Sequence, residues 1–470
     1  MVFNSLVFLV FFAVVYGLYR VLPHRGQNVL ILVSSYFFYG WWDWRFLSLI
    51  FVSTLIDYVA ARVIDDAGDN RRRRRIAVGA SIVSNLGILG FFKYFNFFAE
   101  NLAALLQAFG VEVSLRHLNI VLPVGISFYT FQTMSHTLDV YRGQMKAARS
   151  FLDFAAFVSF FPQLVAGPIE RAARLLPQIQ QPRTISRDGL ESGAWLVAWG
   201  LFKKCVVADN LAVLVDAAFG AEAPTGAVAL LALYAFAFQI YCDFSGYSDI
   251  ARGISRWMGI DLMLNFDNPY FAVNPKDFWA RWHVSLSSWL RDYLYISLGG
   301  NRRGRGRTYV HLALTMLLGG LWHGAAWTFI AWGAFHGAML VVYHAWAERY
   351  APKGTADSGR WLWPRRIFFF QLTCLGWLLF RAESLGQVGD VLSRIFTDFA
   401  WDAQATDALA ALVLFCLPLW LVQLLQVKTG DLLAPMRLSA VPRAALCATL
   451  ILMALAFGNT GGGAFIYFQF

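Results

Sequence analysis

Long apolar segments separated by short polar ones recur along the whole 470-residue chain. A helix that crosses a bilayer needs about 20 mostly apolar residues, so this pattern predicts a protein built of membrane helices, with roughly ten to twelve crossings. Segments too short to cross alone are expected to form re-entrant or half-depth helices, which are tolerated where protein or a water-filled cavity covers the backbone. The candidate segments are 5–22, 28–40, 46–64, 76–92, 94–109, 119–138, 151–168, 193–217, 225–241, 308–322, 325–346, 367–380, 406–426 and 440–458.

The stretch 259–301 departs from this pattern, because it mixes charged and amide side chains with many aromatic ones. It is too polar to face lipid and too aromatic to be a free loop. We therefore expect it to fold at the cytoplasmic face or to dip into the membrane against other helices. The sequence has no obvious internal repeat and no Ser/Gly-rich linker, which predicts a single integral membrane domain over residues 1–470.

Composition supports a bilayer environment. Hydrophobic residues make up 58% of the chain and charged residues only 14%, whereas a soluble domain carries about 25% charged residues. The net charge of +10 is concentrated in short runs between apolar segments, at 71–75, 302–307 and 365–366. Cytoplasmic loops of membrane proteins carry such an excess, and the runs form no basic stripe of the kind that binds nucleic acid.

The basic residues also predict the topology. Arg20 and Arg25 lie at the end of the first apolar segment, so that end is expected in the cytoplasm. Two further crossings bring the chain back to the cytoplasm at 71–75. The N-terminus is then outside, and 302–307 is again cytoplasmic. Residues 1–22 have no basic n-region and no small-residue cleavage site, so they are interpreted as the first membrane helix and not as a removable signal.

Several kinds of chemistry lack their usual sequence marks. The five cysteines are scattered and no C-x-x-C occurs, so neither a disulfide framework nor a thiolate metal site is indicated. The chain contains no phosphate-binding P-loop, no G-x-G-x-x-G and no G-x-S-x-G. Phosphoryl transfer, dinucleotide chemistry and serine-hydrolase chemistry are therefore not favoured.

His323 is the sharpest candidate for chemistry, since it lies between the apolar runs 312–321 and 325–335. An ionisable group at membrane depth is costly and usually functional. A neutral imidazole, with a reference pKa of about 6.5, suits a general base near neutrality. Trp322 and Trp327 are expected to keep its surroundings dry. The alternative is a buried histidine that is hydrogen-bonded to a backbone carbonyl.

His336 follows thirteen residues later. On a continuous helix that interval is roughly 3.6 turns, so His336 is expected to point away from His323. A metal site shared by the two histidines would require a helix break at Gly324 or Gly333. We expect His336 to serve in packing or hydrogen bonding, and we predict no metal.

Two polar clusters are weaker candidates. His283 lies in the polar stretch, where Arg281 and Asp292 could pair with each other or with a phosphate-bearing ligand; the alternative is an interfacial ion-pair network. Residues 241–249 place two carboxylates six residues apart. Such a pair can perform acid–base work, but capping at a helix end and network roles are favoured, because Ser and Asp are strong cap formers.

Several motifs taken together resemble the bacterial branch of the membrane-bound O-acyltransferase family. They occur in order over nearly the whole chain, although each alone is a weak signal. The motifs are residues 122–132, 161–169, 241–249, 277–287, 291–302, 321–328 and 465–470.

The resemblance implies an all-α, polytopic transmembrane helical bundle, with re-entrant or short helices around a central tunnel and an acyl-transfer core at about 119–346. It implies an O-acyltransferase of the bacterial cell inner membrane that takes acetyl from a cytoplasmic donor, with acetyl-CoA as the expected donor substrate and no permanently bound cofactor. A periplasmic partner acetyltransferase, similar to SGNH hydrolases, would then acetylate an exopolysaccharide such as alginate. Such a transfer needs a water-poor site, because water would hydrolyse the activated acyl group.

The resemblance also assigns residues. The family's catalytic histidine falls on His323 and its second motif histidine falls on His283, for which a supporting role near the donor is expected. Arg281, Trp282 and Trp322 are the candidates for binding the donor. At position 136 this chain has His where Tyr is expected, which bears on the subgroup and not on the chemistry.

Two other functions remain open. A transporter or flippase for a lipid-linked sugar would predict repeated halves or broken helices at matching positions. A non-catalytic scaffold of an exopolysaccharide synthesis complex would predict that His323 can be replaced without loss of polymer acetylation. The sequence does not specify the polymer, since the partner would recognise most of the acceptor.

Overall fold

The computed structural model describes residues 1–111, 118–221, 224–350, 359–459 and 465–466. Every regular element within these ranges is a helix, which confirms the predicted all-α fold. Helices satisfy their backbone polar groups internally, as a bilayer requires. The chain forms two compact units, Met1–Gly193 with Ile254–Met263, and Ala194–Gly253 with Leu264–Phe470. The single domain inferred from the sequence stays a prediction.

The first unit contains the N-terminal helices, with short 3₁₀ and π turns at Trp44–Phe46 and Gly90–Tyr94. Its helices are α1 (Leu6–Val21), α2 (His24–Asp43), α3 (Leu47–Asp66), α4 (Arg71–Leu89), α5 (Phe95–Ala108), α6 (Ile126–Tyr141), α7 (Phe151–Ser159), α8 (Phe161–Leu164), α9 (Ala172–Gln180) and the first half of α10 (Arg187–Leu201).

Buried polar groups join three helices of this unit. The carboxylate of Asp57 on α3 is completely buried. It accepts hydrogen bonds from Ser81 and Asn85 on α4 and from Thr137 on α6, the last at 2.6 Å. Because a buried charge without such donors is strongly destabilising, this network fixes how the three helices pack.

The second unit contains the second half of α10 and the remaining helices, except that the last four residues of α12 belong to the first unit. It has π turns at Phe202–Ala208 and Leu290–Tyr295 and 3₁₀ turns at Pro269–Phe271 and Ala434–Arg437. These helices are α11 (Asp209–Gly220), α12 (Gly226–Trp257), α13 (Pro275–Arg281), α14 (Val284–Trp289), α15 (Ile296–Leu298), α16 (Arg305–His323), α17 (Trp327–Tyr350), α18 (Leu362–Arg381), α19 (Leu385–Thr397), α20 (Ala403–Thr429) and α21 (Ala440–Phe457).

Five helical stretches in the described part of the chain are long and apolar enough to cross a membrane, which makes this a multi-pass membrane protein. Two of them contain 43 and 38 residues, about twice the length of a single crossing. The number of crossings inferred from the sequence stays a prediction. The stretches are His24–Asp66, Arg71–Ala108, Gly226–Trp257, Ala403–Thr429 and Ala440–Phe457.

The polar stretch 259–301 folds into the short helices α13, α14 and α15 and the turns between them. Its aromatic side chains turn inwards: Trp282 is 1% exposed and stacks on Phe278 with ring centroids 5.7 Å apart. Trp282 also contacts Trp377 on α18, so the stretch packs against another helix. Its place at the cytoplasmic face or within the membrane stays a prediction.

Candidate active site

The helical hairpin of α16 and α17 positions the first candidate residue. α16 ends at His323 and α17 begins at Trp327. His323 and His336 therefore do not lie on one continuous helix, and the relative orientation calculated for such a helix does not apply. The break occurs at Gly324, where a Cβ atom would lie 2.1 Å from the ring of Phe329. Because no side chain fits there, a glycine at this position is what allows the Phe329 ring to pack against the break. Gly333 lies within α17 and causes no break.

His323 is enclosed by aromatic rings and is only 4% exposed. The ring centroids of Trp322 and Trp332 lie 5.0 Å from the imidazole, and that of Phe380 lies 5.4 Å away. Trp322 is buried against His323, as expected of a residue that shields it. The same expectation is wrong for Trp327, which is 56% exposed.

His336 packs against the other side of this aromatic cluster. Its ring centroid lies 4.6 Å from Trp332 and 5.2 Å from Trp279. Neither imidazole nitrogen has a hydrogen-bond partner in the described part of the chain, so packing is its role here and hydrogen bonding is not. Within the same residues, no group of three or more His, Cys, Asp or Glu side chains is arranged to hold a metal ion.

His283 belongs to a buried hydrogen-bond cluster centred on Asn265. The imidazole Nδ1 lies 3.1 Å from Asn265 Oδ1, which also accepts a hydrogen bond of 2.8 Å from the Ser285 hydroxyl. Asn265 Nδ2 donates to Ser248 Oγ at 3.1 Å. Since an amide oxygen only accepts hydrogen bonds, the proton of His283 is on Nδ1 and its Nε2 carries the lone pair.

Burial and backbone geometry both single out His283. The side chain is fully buried, and burial lowers the pKa of His283 to about 3. The imidazole is therefore neutral near pH 7. Its backbone lies in the left-handed region, with φ 43° and ψ 52°, at the residue before α14. Only one other non-glycine residue in the described ranges, Asn268, has a positive φ.

A single tryptophan connects the two histidines that the sequence singled out. The Trp322 ring centroid lies 6.0 Å from His283 and 5.0 Å from His323. Two histidines 40 positions apart in the chain thus lie in one buried aromatic cluster.

The predicted partners of Arg281 and Asp292 are different from those observed. Arg281 pairs with Asp277, Nε to Oδ1, at 2.7 Å, and Asp292 pairs with its neighbour Arg291 at 2.7 Å. Of the alternatives left open by the sequence, the Arg281–Asp292 pair is wrong, because α13 places Asp277 one turn before Arg281. Trp282, a donor-binding candidate, lies in the core with its ring centroid 4.7 Å from that of Trp377.

The carboxylates of 241–249 lie in the middle of the 32-residue α12, so their predicted capping at a helix end is wrong. Their network role is confirmed. Asp249 accepts a hydrogen bond from Lys203 Nζ at 2.7 Å, and Asp243 forms an ion pair with Lys204, Oδ1 to Nζ, at 2.7 Å. Sequence reasoning missed both lysines, although two cations within the apolar segment 193–217 are the kind of signal that identified His323.

Comparison with known proteins gives a consistent result. Residues 37–384 match the model of the membrane-bound O-acyltransferase family, MBOAT. The chain is 44% identical to a probable alginate O-acetylase AlgI from Azotobacter vinelandii and 43% identical to that of Pseudomonas aeruginosa, over 85% of this chain and 79% and 76% of those proteins. It is also 34% identical to a peptidoglycan O-acetyltransferase from Helicobacter pylori, over 83% of this chain and 79% of that protein.

Proposed function

Since the chain belongs to the membrane-bound O-acyltransferase family and is an O-acyltransferase of a multi-pass membrane type, we propose that it transfers acetyl from cytoplasmic acetyl-CoA across the bacterial inner membrane. The final acceptor is an exopolysaccharide such as alginate. The names of the relatives, alginate O-acetylase and peptidoglycan O-acetyltransferase, support an acetyl group and a polymeric acceptor. The enclosed position of His323 at the break between α16 and α17 is the observation that supports the chemistry most directly.

In this proposal His323 is the general base. A ring nitrogen of the neutral imidazole takes the proton of the acceptor's hydroxyl group. At the same time the hydroxyl oxygen attacks the thioester carbonyl of acetyl-CoA. The tetrahedral intermediate then expels the thiolate, and the imidazolium returns the proton to the sulfur. One C–O bond forms, one C–S bond breaks, and His323 is regenerated. The rings of Trp322, Trp332 and Phe380 exclude water, which would otherwise hydrolyse the acyl group.

His283 has a supporting role in this mechanism. Its Nδ1 proton is held by Asn265, and its ring contacts Trp322, which in turn contacts His323. A fixed imidazole at this position limits the movement of Trp322 and so maintains the wall of the site. Rigid support of this kind matters because a misplacement of about 1 Å costs on the order of 100-fold in rate.

The experiment measures acetyl-CoA consumption by membranes and polymer acetate in cells that carry the protein or His323→Ala. Loss of a general base costs roughly 10²- to 10⁴-fold, so the variant should consume almost no acetyl-CoA at equal membrane expression. A scaffold or a flippase would leave polymer acetylation intact in His323→Ala, and that result would contradict the proposal.

We also propose a periplasmic acetyltransferase partner, similar to SGNH hydrolases. The described polar segments between membrane helices are short, and they offer no domain that could hold a polysaccharide. Affinity purification of the full chain in mild detergent should recover such a partner. Acetylation of polymer by the isolated chain in liposomes would show that no partner is required.

A further inference from the structure

A polar cavity of about 480 Å³ lies in the second unit beside α13. Three cations and one carboxylate are among its lining side chains. α13 contributes Lys276, Asp277 and Arg281, and α18 contributes Arg366 from its first turns. The cavity therefore has an excess of positive charge. Its volume is within the range of about 300–1,000 Å³ that small-molecule sites occupy.

The single carboxylate does not neutralise all three cations. Asp277 Oδ1 accepts from Arg281 Nε at 2.7 Å, and Asp277 Oδ2 accepts from the backbone amide of Val273 at 3.1 Å. Its hydrogen-bonding capacity is thus directed to α13 and the preceding turn. Among the residues that the structure describes, neither Lys276 nor Arg366 forms an ion pair with a carboxylate.

Arg366 is held in a fixed orientation at this cavity. Its Nε donates to the carbonyl oxygen of Phe271 at 3.0 Å, and its guanidinium lies over the rings of Phe271 and Trp363, at 5.4 and 5.1 Å. Burial and then the charge of Arg281 lower the pKa of Arg366. Two guanidinium groups that repel each other and face one cavity are an arrangement that a bound anion would stabilise.

α13 connects this cavity to the candidate active site. Its Trp279 ring centroid lies 5.8 Å from that of Trp332, which lies 5.0 Å from that of His323. Only two ring contacts therefore separate the helix that lines the cavity from the proposed base. A ligand anchored at the cavity by an anionic end would lie beside the helix that packs against Trp332.

We propose that Lys276, Arg281 and Arg366 bind the phosphate groups of the thioester donor, an inference that rests on the proposed function. Guanidinium groups match phosphate oxygens in bidentate geometry, and a lysine ammonium adds a mobile point charge. Three cations around one cavity suit a ligand with more than one phosphate, as in the nucleotide end of a CoA thioester. The phosphate of an anionic lipid headgroup has the same chemistry, so the experiment has to separate these two sources.

The test uses the purified full chain in nanodiscs and desulfo-CoA, a donor analogue without the sulfur. Lys276→Gln and Arg366→Gln should each weaken its binding by roughly 10- to 100-fold, the effect of one charge-assisted hydrogen bond. The KM for acetyl-CoA should rise by the same factor with little change in kcat. Arg365→Gln is the matched control, because Arg365 directly precedes Arg366 in α18 but does not line the cavity. It should change neither the affinity for desulfo-CoA nor the KM for acetyl-CoA.

The Lys276→Gln variant separates loss of binding from loss of folding. Arg366 donates a hydrogen bond to Phe271, so its replacement can disturb packing, whereas Lys276 is exposed and its replacement should not. Unchanged affinity and KM in both variants, in a protein that still consumes acetyl-CoA, would overturn the phosphate site and leave the proposed function intact. If the wild type consumed no acetyl-CoA, the proposed function would fall, and this inference with it.

The lipid source is tested by comparing nanodiscs of phosphatidylcholine alone with nanodiscs that also contain phosphatidylglycerol. A donor site predicts that both variants lose desulfo-CoA affinity to the same extent in the two preparations. If the variants instead retained desulfo-CoA binding and lost only enrichment of phosphatidylglycerol around the protein, the cavity would be a headgroup site and the donor assignment would be wrong.

Discussion

The backbone of His283 is in a conformation that residues with a Cβ atom rarely adopt, with φ 43°. This left-handed geometry costs roughly 1–2 kcal/mol. Two hydrogen bonds to Asn265 maintain this geometry. The side chain of His283 bonds to Asn265 Oδ1, and the backbone amide of the next residue, Val284, donates to the carbonyl oxygen of Asn265 at 2.9 Å. Strain that is fixed so fully by its neighbours points to a position that function requires.

Asn265 is therefore expected to act with His283 as one unit. Asn265→Leu removes the acceptor of the His283 Nδ1 proton and of the Ser285 hydroxyl, so the imidazole loses its fixed orientation. We expect Asn265→Leu and His283→Ala to lower polymer acetylation to similar levels, and the double variant to be no worse than either, because residues that act as a unit are non-additive. Acetate per membrane-inserted protein measures this.

The control is Asn301→Leu, an exposed asparagine in the same unit, which should retain wild-type acetylation. Independent, multiplying losses in the double variant would show that Asn265 and His283 act separately. That outcome would remove the positioning role assigned to the amide.

At the scale of elements, α16 and α17 approach each other backbone to backbone. A Cβ on Gly320 would lie 2.2 Å from the carbonyl oxygen of Phe329, and a Cβ on Gly333 would lie 2.5 Å from that of Met316. Small residues at facing positions allow such contact between membrane helices. Because His323 lies one turn after Gly320, this close approach also determines where the proposed base is placed.

Gly333→Ala should therefore destabilise the protein, by about 1–3 kcal/mol from overpacking, and should lower acetylation because α16 shifts. Gly306→Ala is the matched control: it lies near the start of α16 with no atom within 4 Å of the added methyl group. That change should be neutral or stabilising by up to about 1 kcal/mol, since alanine is the better helix former. Thermal unfolding in detergent compares the two variants, and equal shifts would refute the packing argument.

α12 shows why the sequence underestimated some elements. The apolar pattern predicted a segment at 225–241, but the helix continues to Trp257. Its polar second half is stabilised inside the protein, because Lys203 and Lys204 from the preceding π turn neutralise Asp249 and Asp243. A hydropathy profile counts a charged residue as unfavourable in a membrane helix, whether or not an ion-pair partner on another element stabilises it. A helix whose charges are paired inside the protein therefore appears to end early.

At the scale of the whole molecule, the elements that the sequence predicted best are those whose environment is uniform. The segment 440–458 corresponds to Ala440–Phe457, in which Leu450 is the one buried residue. Lipid-facing helices need only length and apolarity, and both can be measured along the chain.

The candidate site was predictable only in part. His323 could be singled out because an ionisable residue between two apolar runs is conspicuous. Asn265 could not, since its importance comes from Ser248, His283 and Ser285, which are 17, 18 and 20 positions away. The aromatic cluster that links His283 to His323 also depends on the helix break at Gly324. The pattern of polar and apolar residues does not predict the direction that the chain takes after such a break.

Topology is the property of the whole chain that the distribution of arginines predicts. The turn between α2 and α3 has one arginine, Arg45, which is paired with Asp43 through Nη2 and Oδ2 at 2.5 Å. The start of α4 has five, at 71–75. Because short loops rich in Lys and Arg stay in the cytoplasm, Arg45 is expected outside and the five-arginine run inside.

Cysteine labelling in intact cells tests this arrangement. In a Cys447→Ser background, which removes the exposed native cysteine while the other four are buried, Arg45→Cys should react with a membrane-impermeant maleimide. Arg72→Cys should react only after the membrane is permeabilised. The two positions flank α3, a single 20-residue helix, so they must lie on opposite sides if α3 crosses the bilayer. Labelling of Arg72→Cys in intact cells, or of both sites alike, would overturn the predicted topology.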